Sequence, residues 1–185
     1  MPKPKFLAFA LDPGEVAGWG VATCAELPLE LGIAKSMSDR KWVCQHVKSM
    51  SEELGLPILV VAEEWTAGGP RAHYKMYTGL GENYGRWLDW IELILETPKD
   101  KILRVTPQTW RNGLFTPEVL QQYCSGFDRS WKMKRLACAY VSPSPSLAKS
   151  RRDHNAAEAA CIACWAHCSI EGVEAAERVI RAWRL

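Results

Sequence analysis

The sequence predicts an α/β domain built on a mixed five-stranded sheet flanked by helices. Three short strand-like segments separated by Gly/Pro turns open the chain, the pattern of an antiparallel meander. Two further apolar strands follow, each reached through a stretch of helical spacing, as in strands joined by helical crossovers. Only helices are expected after the fifth strand. At 185 residues the chain is read as one domain, 1–185, large enough to bury a core without disulfide or metal staples.

Residues 5–12, 17–24 and 29–35 form the meander. "DRKWVCQHVKSMSEEL" (39–54) has helical spacing and stops at Gly55, with Pro57 beyond. "PILVVAEE" (57–64) is continuously apolar until its last two residues, as expected of a strand covered on both faces. "YTGLGENYGRWLDWIELILE" (77–96) reads as a helix despite its glycines, and Leu80, Tyr84, Trp87 and Ile91 share an apolar stripe suited to pairing two copies or to packing on the sheet. "KILRVTP" (101–107) is the last strand, ended by Pro107, and helices are expected near 117–124, 129–140, 153–169 and 173–184. "SPSPS" (142–146) is read as a loop.

Composition excludes several classes. Hydrophobic residues make up 48% and charged residues 24%, with a net charge of +2, so no strong overall field argues for a polyanion. No apolar run approaches the ~20 residues of a membrane span, and no signal-peptide pattern follows the first residues; the expectation is a cytoplasmic protein. The seven cysteines at 24, 44, 124, 138, 161, 164 and 168 are odd in number and scattered. The last three step along one helical face in "AEAACIACWAHC" and no second Cys pair follows, so they are read as reduced core thiols. The default for the nine tryptophans is packing, although Trp65, Trp87, Trp110 and Trp131 sit beside charged residues or glycine.

Acidic residues stand at unusual places. "FLAFALDPGEVAGWGVAT" (6–23) runs an apolar strand into Asp12, with Pro13 and Gly14 turning the chain behind it. A carboxylate at the edge of a core is costly unless something offsets its lost hydration. The apolar strand at 57–64 likewise ends on Glu63 and Glu64, and side-chain alternation lets only one of the two face a common site. The helix at 153 begins Asp153, His154, Asn155 and carries Glu158 one turn on, on a face shared with Asn155 or His154. Clustered carboxylates repel one another unless a cation sits among them, and oxygen-rich sites suit Mg²⁺ or Mn²⁺. Taken singly, Asp153 reads equally as a helix cap and Glu64 as a surface ion-pair partner.

"LDPGEVAGWGVA", "LVVAEEW" and "DHNAAEAACIA", in that order, resemble the RuvC-like Holliday junction resolvases, particularly their phage-type members. "LRVTPQTWRNGLF" resembles that family's strand-Pro-x-x-Trp stretch. The resemblance spans residues 6 to about 166 and implies a ribonuclease-H-like fold. It also implies a metal-dependent endodeoxyribonuclease that cleaves branched DNA such as a four-way junction, leaving 3′-hydroxyl and 5′-phosphate ends. By position, Asp12 matches the first metal ligand, Glu63 the second with Glu64 as substitute, and Glu158 the last. The residue three before Glu158 is an acid or histidine in the family and is Asn155 here, whose neutral oxygen binds Mg²⁺ more weakly. His154 or Asp153 is then the candidate to make up the set, or the chain binds branched DNA with weakened or no cutting. The implied catalytic set is Asp12, Glu63, Asn155 and Glu158, and the implied metal ligands are Asp12, Glu63, His154 and Glu158. Two Mg²⁺ or Mn²⁺ ions ~4 Å apart serve such sites.

From Arg129 to Arg152 seven Lys/Arg residues occur and no Asp or Glu. Lys132, Lys134, Arg135, Arg151 and Arg152 in this run, with Arg71 and Lys75 in the aromatic-basic segment after Glu63, are the candidate DNA contacts. Two cuts on opposing strands of a junction imply a homodimer. No membrane partner and no nucleotide cofactor is expected: an actin-like nucleotide-binding fold would need a second Asp-Gly phosphate loop and duplicated halves.

Overall fold

The structure, a computed structural model, describes residues 4–14, 16–24, 28–64, 74–115, 129–141 and 153–169, with backbone alone for 74–80 and 129–133. Five strands form one sheet: β1 (Leu7–Asp12), β2 (Ala17–Ala22), β3 (Pro28–Ala34), β4 (Ile58–Glu63) and β5 (Leu103–Val105). Their order is β3-β2-β1-β4-β5. β1 pairs antiparallel with β2, and β2 with β3. β1 and β4 run parallel, as do β4 and β5. This is the expected meander joined to two crossover strands.

The helices are α1 (Met37–Leu54), α2 (Tyr74–Leu95), α3 (Pro107–Leu114), α4 (Arg129–Val141) and α5 (His154–Ser169), with one 3-10 turn at Lys99–Lys101. Ser36 caps α1: its hydroxyl accepts from Asp39 N while the Asp39 carboxylate accepts from Ser36 N, a reciprocal capping box. Gly55 ends α1 in the left-handed region, at φ 64°, a conformation that favours glycine. The last strand is shorter than expected and Pro107 starts a helix as well as ending a strand. Thr106 is the N-cap, its side chain accepting from Thr109 N, and Pro107 occupies the first turn, where its missing N–H has no partner to lose. The expected helices at 117–124 and 173–184 and the loop at 142–146 lie outside the described residues.

Helices cover both faces of the sheet. One core layer joins Leu7, Phe9 and Leu11 of β1 and Val60 and Ala62 of β4 to Val43, Cys44 and Val47 of α1 and to Trp87 and Ile91 of α2. The apolar stripe on α2 therefore packs on the sheet: Trp87 and Ile91 are fully buried and Tyr84 is half-buried against the same layer. That corrects its candidacy as a face pairing two copies. The other layer joins Ala8, Ala10, Leu59 and Val61 to Trp110 of α3, Leu136 of α4 and the alanines and cysteines of α5.

None of the six described cysteines is in a disulfide. Cys161 and Cys164 are buried core thiols as expected, whereas Cys168 is exposed and so departs from that face. Trp87 and Trp110 are core residues, not surface platforms; Trp65 and the side chain of Trp131 lie outside the described residues. Among the described residues no helix is long and apolar enough to cross a membrane.

Candidate metal centre

The parallel pairing of β1 and β4 runs Leu7↔Ile58 to Leu11↔Ala62, so Asp12 and Glu63 follow at the same ends of neighbouring strands. Alternation assigns their sides. Ala8 and Ala10, and Leu59 and Val61, face α5; Asp12 and Glu63 continue those rows. Glu64 is on the opposite parity. Its N–H donates to Val105 O at 2.7 Å, its side chain is exposed, and its charge is felt by Tyr84 of α2. The structure thus sets Glu63 beside Asp12 and turns Glu64 to the other face.

Helix α5 brings the third acid, and glycine in β2 lets it approach. A Cβ on Gly18 would overlap the Asn155 carbonyl, and one on Gly20 would lie 2.5 Å from Ala160 Cα. Alanines at 156, 157, 159, 160 and 163 complete the close contact, all fully buried. The first turns of α5 are thereby pressed against the sheet near Asp12. Glu158, 6% exposed, comes close enough there for its charge to act on Asp12 and Glu63.

Helix α3 supplies two residues whose roles the sequence reading left unassigned. Trp110 Nε1 donates to Glu63 Oε1 at 2.8 Å. Arg111 Nη2 donates to Glu158 Oε1 at 2.8 Å, and its guanidinium carbon lies 5.1 Å from the Trp110 ring centroid. The one sequence signal for this pair is the Trp-Arg following Thr-Pro at a strand end.

The three carboxylates feel one another. Burial, then Glu63, then Glu158 push the Asp12 carboxyl up to about 8, against the opposing pull of the Gly14 backbone N–H and the Lys134 charge. Burial raises Glu63 as well; the Trp110 hydrogen bond opposes it, Glu158 adds to it and Arg111 lowers it. These shifts combine desolvation with like-charge repulsion, and both causes would be relieved by a cation.

The remaining candidates are placed differently. Asn155 Nδ2 donates to Val16 O at 2.7 Å. Only the amide nitrogen can donate to a carbonyl, so the side-chain orientation is fixed and ties α5 to the β1–β2 turn. His154 Nε2 lies 2.9 Å from Lys134 Nζ; an ammonium has donors only, so the imidazole nitrogen accepts and its lone pair is engaged. Lys134 is consequently held beside the acids, coupled to Asp12. Arg135 is exposed on α4. Arg71, Arg151 and Arg152, and the side chains of Lys75 and Lys132, lie outside the described residues. Asp153 O accepts from Ala157 N in the first turn of α5.

Among the described residues no group of three or more His, Cys, Asp or Glu side chains is arranged to hold a metal ion as the side chains stand. Glu63 is committed to Trp110 and Glu158 to Arg111. The donor chemistry nevertheless fits a hard divalent cation: Asp12, Glu63 and Glu158 offer carboxylate oxygens only, and their mutual repulsion favours a positive charge among them.

No protein family's sequence pattern matches the chain, and none of the curated proteins is similar to it. Among solved structures, it is similar to T. thermophilus RuvC in complex with a Holliday junction substrate, at 14% identity over 88% of this chain and 93% of that one, with a TM-score of 0.54. At that identity the likeness shows the fold, and the chain has the mixed-sheet, ribonuclease-H-like architecture of RuvC.

Proposed function

We propose that this protein is a Mg²⁺- or Mn²⁺-dependent, structure-selective endodeoxyribonuclease that hydrolyses phosphodiesters in branched DNA such as a Holliday junction. One observation carries the proposal. Three carboxylates from three separate segments, Asp12 of β1, Glu63 of β4 and Glu158 of α5, are coupled at the ends of two parallel strands. Open α/β sheets place their ligands at these carboxyl ends, and the fold is that of a protein solved with a Holliday junction.

In this reading Asp12, Glu63 and Glu158 hold the cations. Bound there, divalent cations supply Lewis acidity that activates water and stabilises the departing oxygen. The chain's own residues prepare the site. Trp110 orients Glu63 through its indole N–H. Asn155 fixes the turn behind Asp12 to α5. The apolar wall of Ala8, Ala10, Val61 and the α5 alanines keeps water from screening the charges. Lys134 and Arg135 with Lys132, and Arg71, Lys75, Arg151 and Arg152, are the proposed phosphate contacts, which give affinity without base specificity. Two copies related by a two-fold axis would address the two strands of a symmetric junction.

Asn155 supports a second reading, in which the same fold binds branched DNA with little or no cutting. Its amide is spent on Val16, so the site has three carboxylates where an acid at this position would give four. Incubating end-labelled four-way junction and linear duplex with the protein in Mg²⁺, Mn²⁺ or EDTA separates the two. Cation-dependent cutting of the junction in preference to duplex is expected; tight junction binding with no cutting in either cation would select the second reading.

A further inference from the structure

Arg111 already occupies the charge partnership that a metal cation would need. Its Nη2 is bonded to Glu158 Oε1 at 2.8 Å, and the two side chains are 30% and 8% exposed. The guanidinium Nε is buried and has no hydrogen-bond partner among the described residues. A guanidinium is a planar fork that suits two oxygens of a phosphate at once. Here one arm is used on a carboxylate and a neighbouring donor is left without an acceptor. A buried N–H donor in that condition bears a desolvation cost that an oxyanion accepting from it removes.

Glu158 faces two demands. It is one of the acids that raise Asp12 and Glu63, and it is the acid that Arg111 neutralises. A divalent cation and the guanidinium compete for the same carboxylate oxygen, because an oxygen accepting a charge-assisted N–H is a poorer metal ligand. A DNA phosphate brought into the site offers Arg111 two acceptors in place of one.

We propose that Arg111 is a substrate-released latch. In the free protein it holds Glu158 away from the divalent cation, and an arriving DNA phosphate draws the guanidinium onto itself and frees Glu158 for the metal. This rests on the metal-dependent nuclease reading above. Cation and DNA then bind with positive coupling, and the coupling is reciprocal. The site assembles only when a phosphate is present, which limits cation-driven side reactions in the free protein.

The test is Mn²⁺ binding to the full chain, followed by the electron paramagnetic resonance of free Mn²⁺, for wild type, Arg111→Gln and Arg111→Lys. Without DNA, Arg111→Gln is expected to bind Mn²⁺ on the order of tenfold more tightly than wild type. Arg111→Lys, which keeps a charge beside Glu158, stays near wild type. Adding an uncleavable phosphorothioate four-way junction, with a junction-only blank subtracted, tightens Mn²⁺ binding by wild type by a clearly larger factor than by Arg111→Gln. Equal or weaker Mn²⁺ binding by Arg111→Gln, or the same junction effect in both proteins, overturns the latch. Should Arg111→Gln fail to fold, the wild-type arm decides: an Mn²⁺ affinity indifferent to junction overturns the latch while leaving the nuclease reading standing. Absence of Mn²⁺ binding by every protein, with or without junction, overturns that reading and the latch together.

Discussion

Replacing Asp12 by asparagine should stabilise the metal-free protein, and only at high pH. The amide keeps an acceptor for the Gly14 N–H that now serves the carboxylate, and it removes a buried charge that Glu63 and Glu158 repel. The folded protein holds the Asp12 carboxyl at about 8 against an ordinary 3.8. At pH 3 the group is protonated in folded and unfolded chains alike and contributes no pH dependence. Between pH 4 and 8 the unfolded chain releases the proton while the folded chain keeps it, so stability falls as pH rises. Above 8 the loss is complete, because the folded chain must then carry the charge. A shift of about four units corresponds to a ceiling of about 6 kcal/mol. Even a third of that, about 2 kcal/mol, moves the melting temperature of a chain this size by about 4–8 °C. The assay is thermal melting of wild type and Asp12→Asn in EDTA at pH 4.5 and pH 9. The variant should gain several degrees on wild type between the two. An equal difference at both values, or a variant less stable at pH 9, would refute the picture of Asp12 as a buried, repelled carboxylate. Adding Mg²⁺ or Mn²⁺ should stabilise wild type and do less for the variant, since a ligand that binds only the folded state stabilises it.

Glu63→Gln should abolish junction cutting while Glu64→Gln stays within roughly tenfold of wild type, a difference below about 1.4 kcal/mol in the barrier, because only Glu63 shares a face with Asp12; single-turnover cleavage rates check this, and the opposite ranking would contradict the strand parity. Asn155→Asp removes the donor to Val16 O and sets a carboxylate oxygen against a carbonyl, so a loss of about 1–3 kcal/mol in stability is expected, with no lower Mg²⁺ requirement for cleavage. Melting curves and a metal titration of cleavage measure both, and stronger Mg²⁺-dependent cutting at unchanged stability would make position 155 a ligand position and not a structural tie.

The sheet was legible because its signals are local. An unbroken apolar run to Glu63 and a Gly/Pro-punctuated meander each report their own burial, and the period of two separates Glu63 from Glu64 without any tertiary knowledge. Helix α3 was missed for a local reason as well: Pro107 reads as a stop, yet after a threonine cap it is a helix's first residue. The stripe on α2 is apolar by any measure, and periodicity says that a face is buried without saying against what. Here the answer is the sheet, through Trp87 and Ile91.

The contacts that set the site's electrostatics follow a different logic. Trp110 reaches Glu63, and Arg111 reaches Glu158, each across 47 positions of sequence. Val16 and Asn155 meet across 139. No periodicity encodes such pairs; they exist because Gly18 and Gly20 let α5 lie against β2 and because α3 starts immediately after β5 beside Glu63. Acids can therefore be nominated from sequence as residues that close apolar strands, since the cost of burying them is visible in their neighbours. Which acid is neutralised, and by what, depends on the packing of helices that carry no acid of the set. That is why Asp12 and Glu63 stand out as acids that close apolar strands, and Glu158 by its helix position and by resemblance, while Arg111, which in the folded chain is bonded to Glu158, does not.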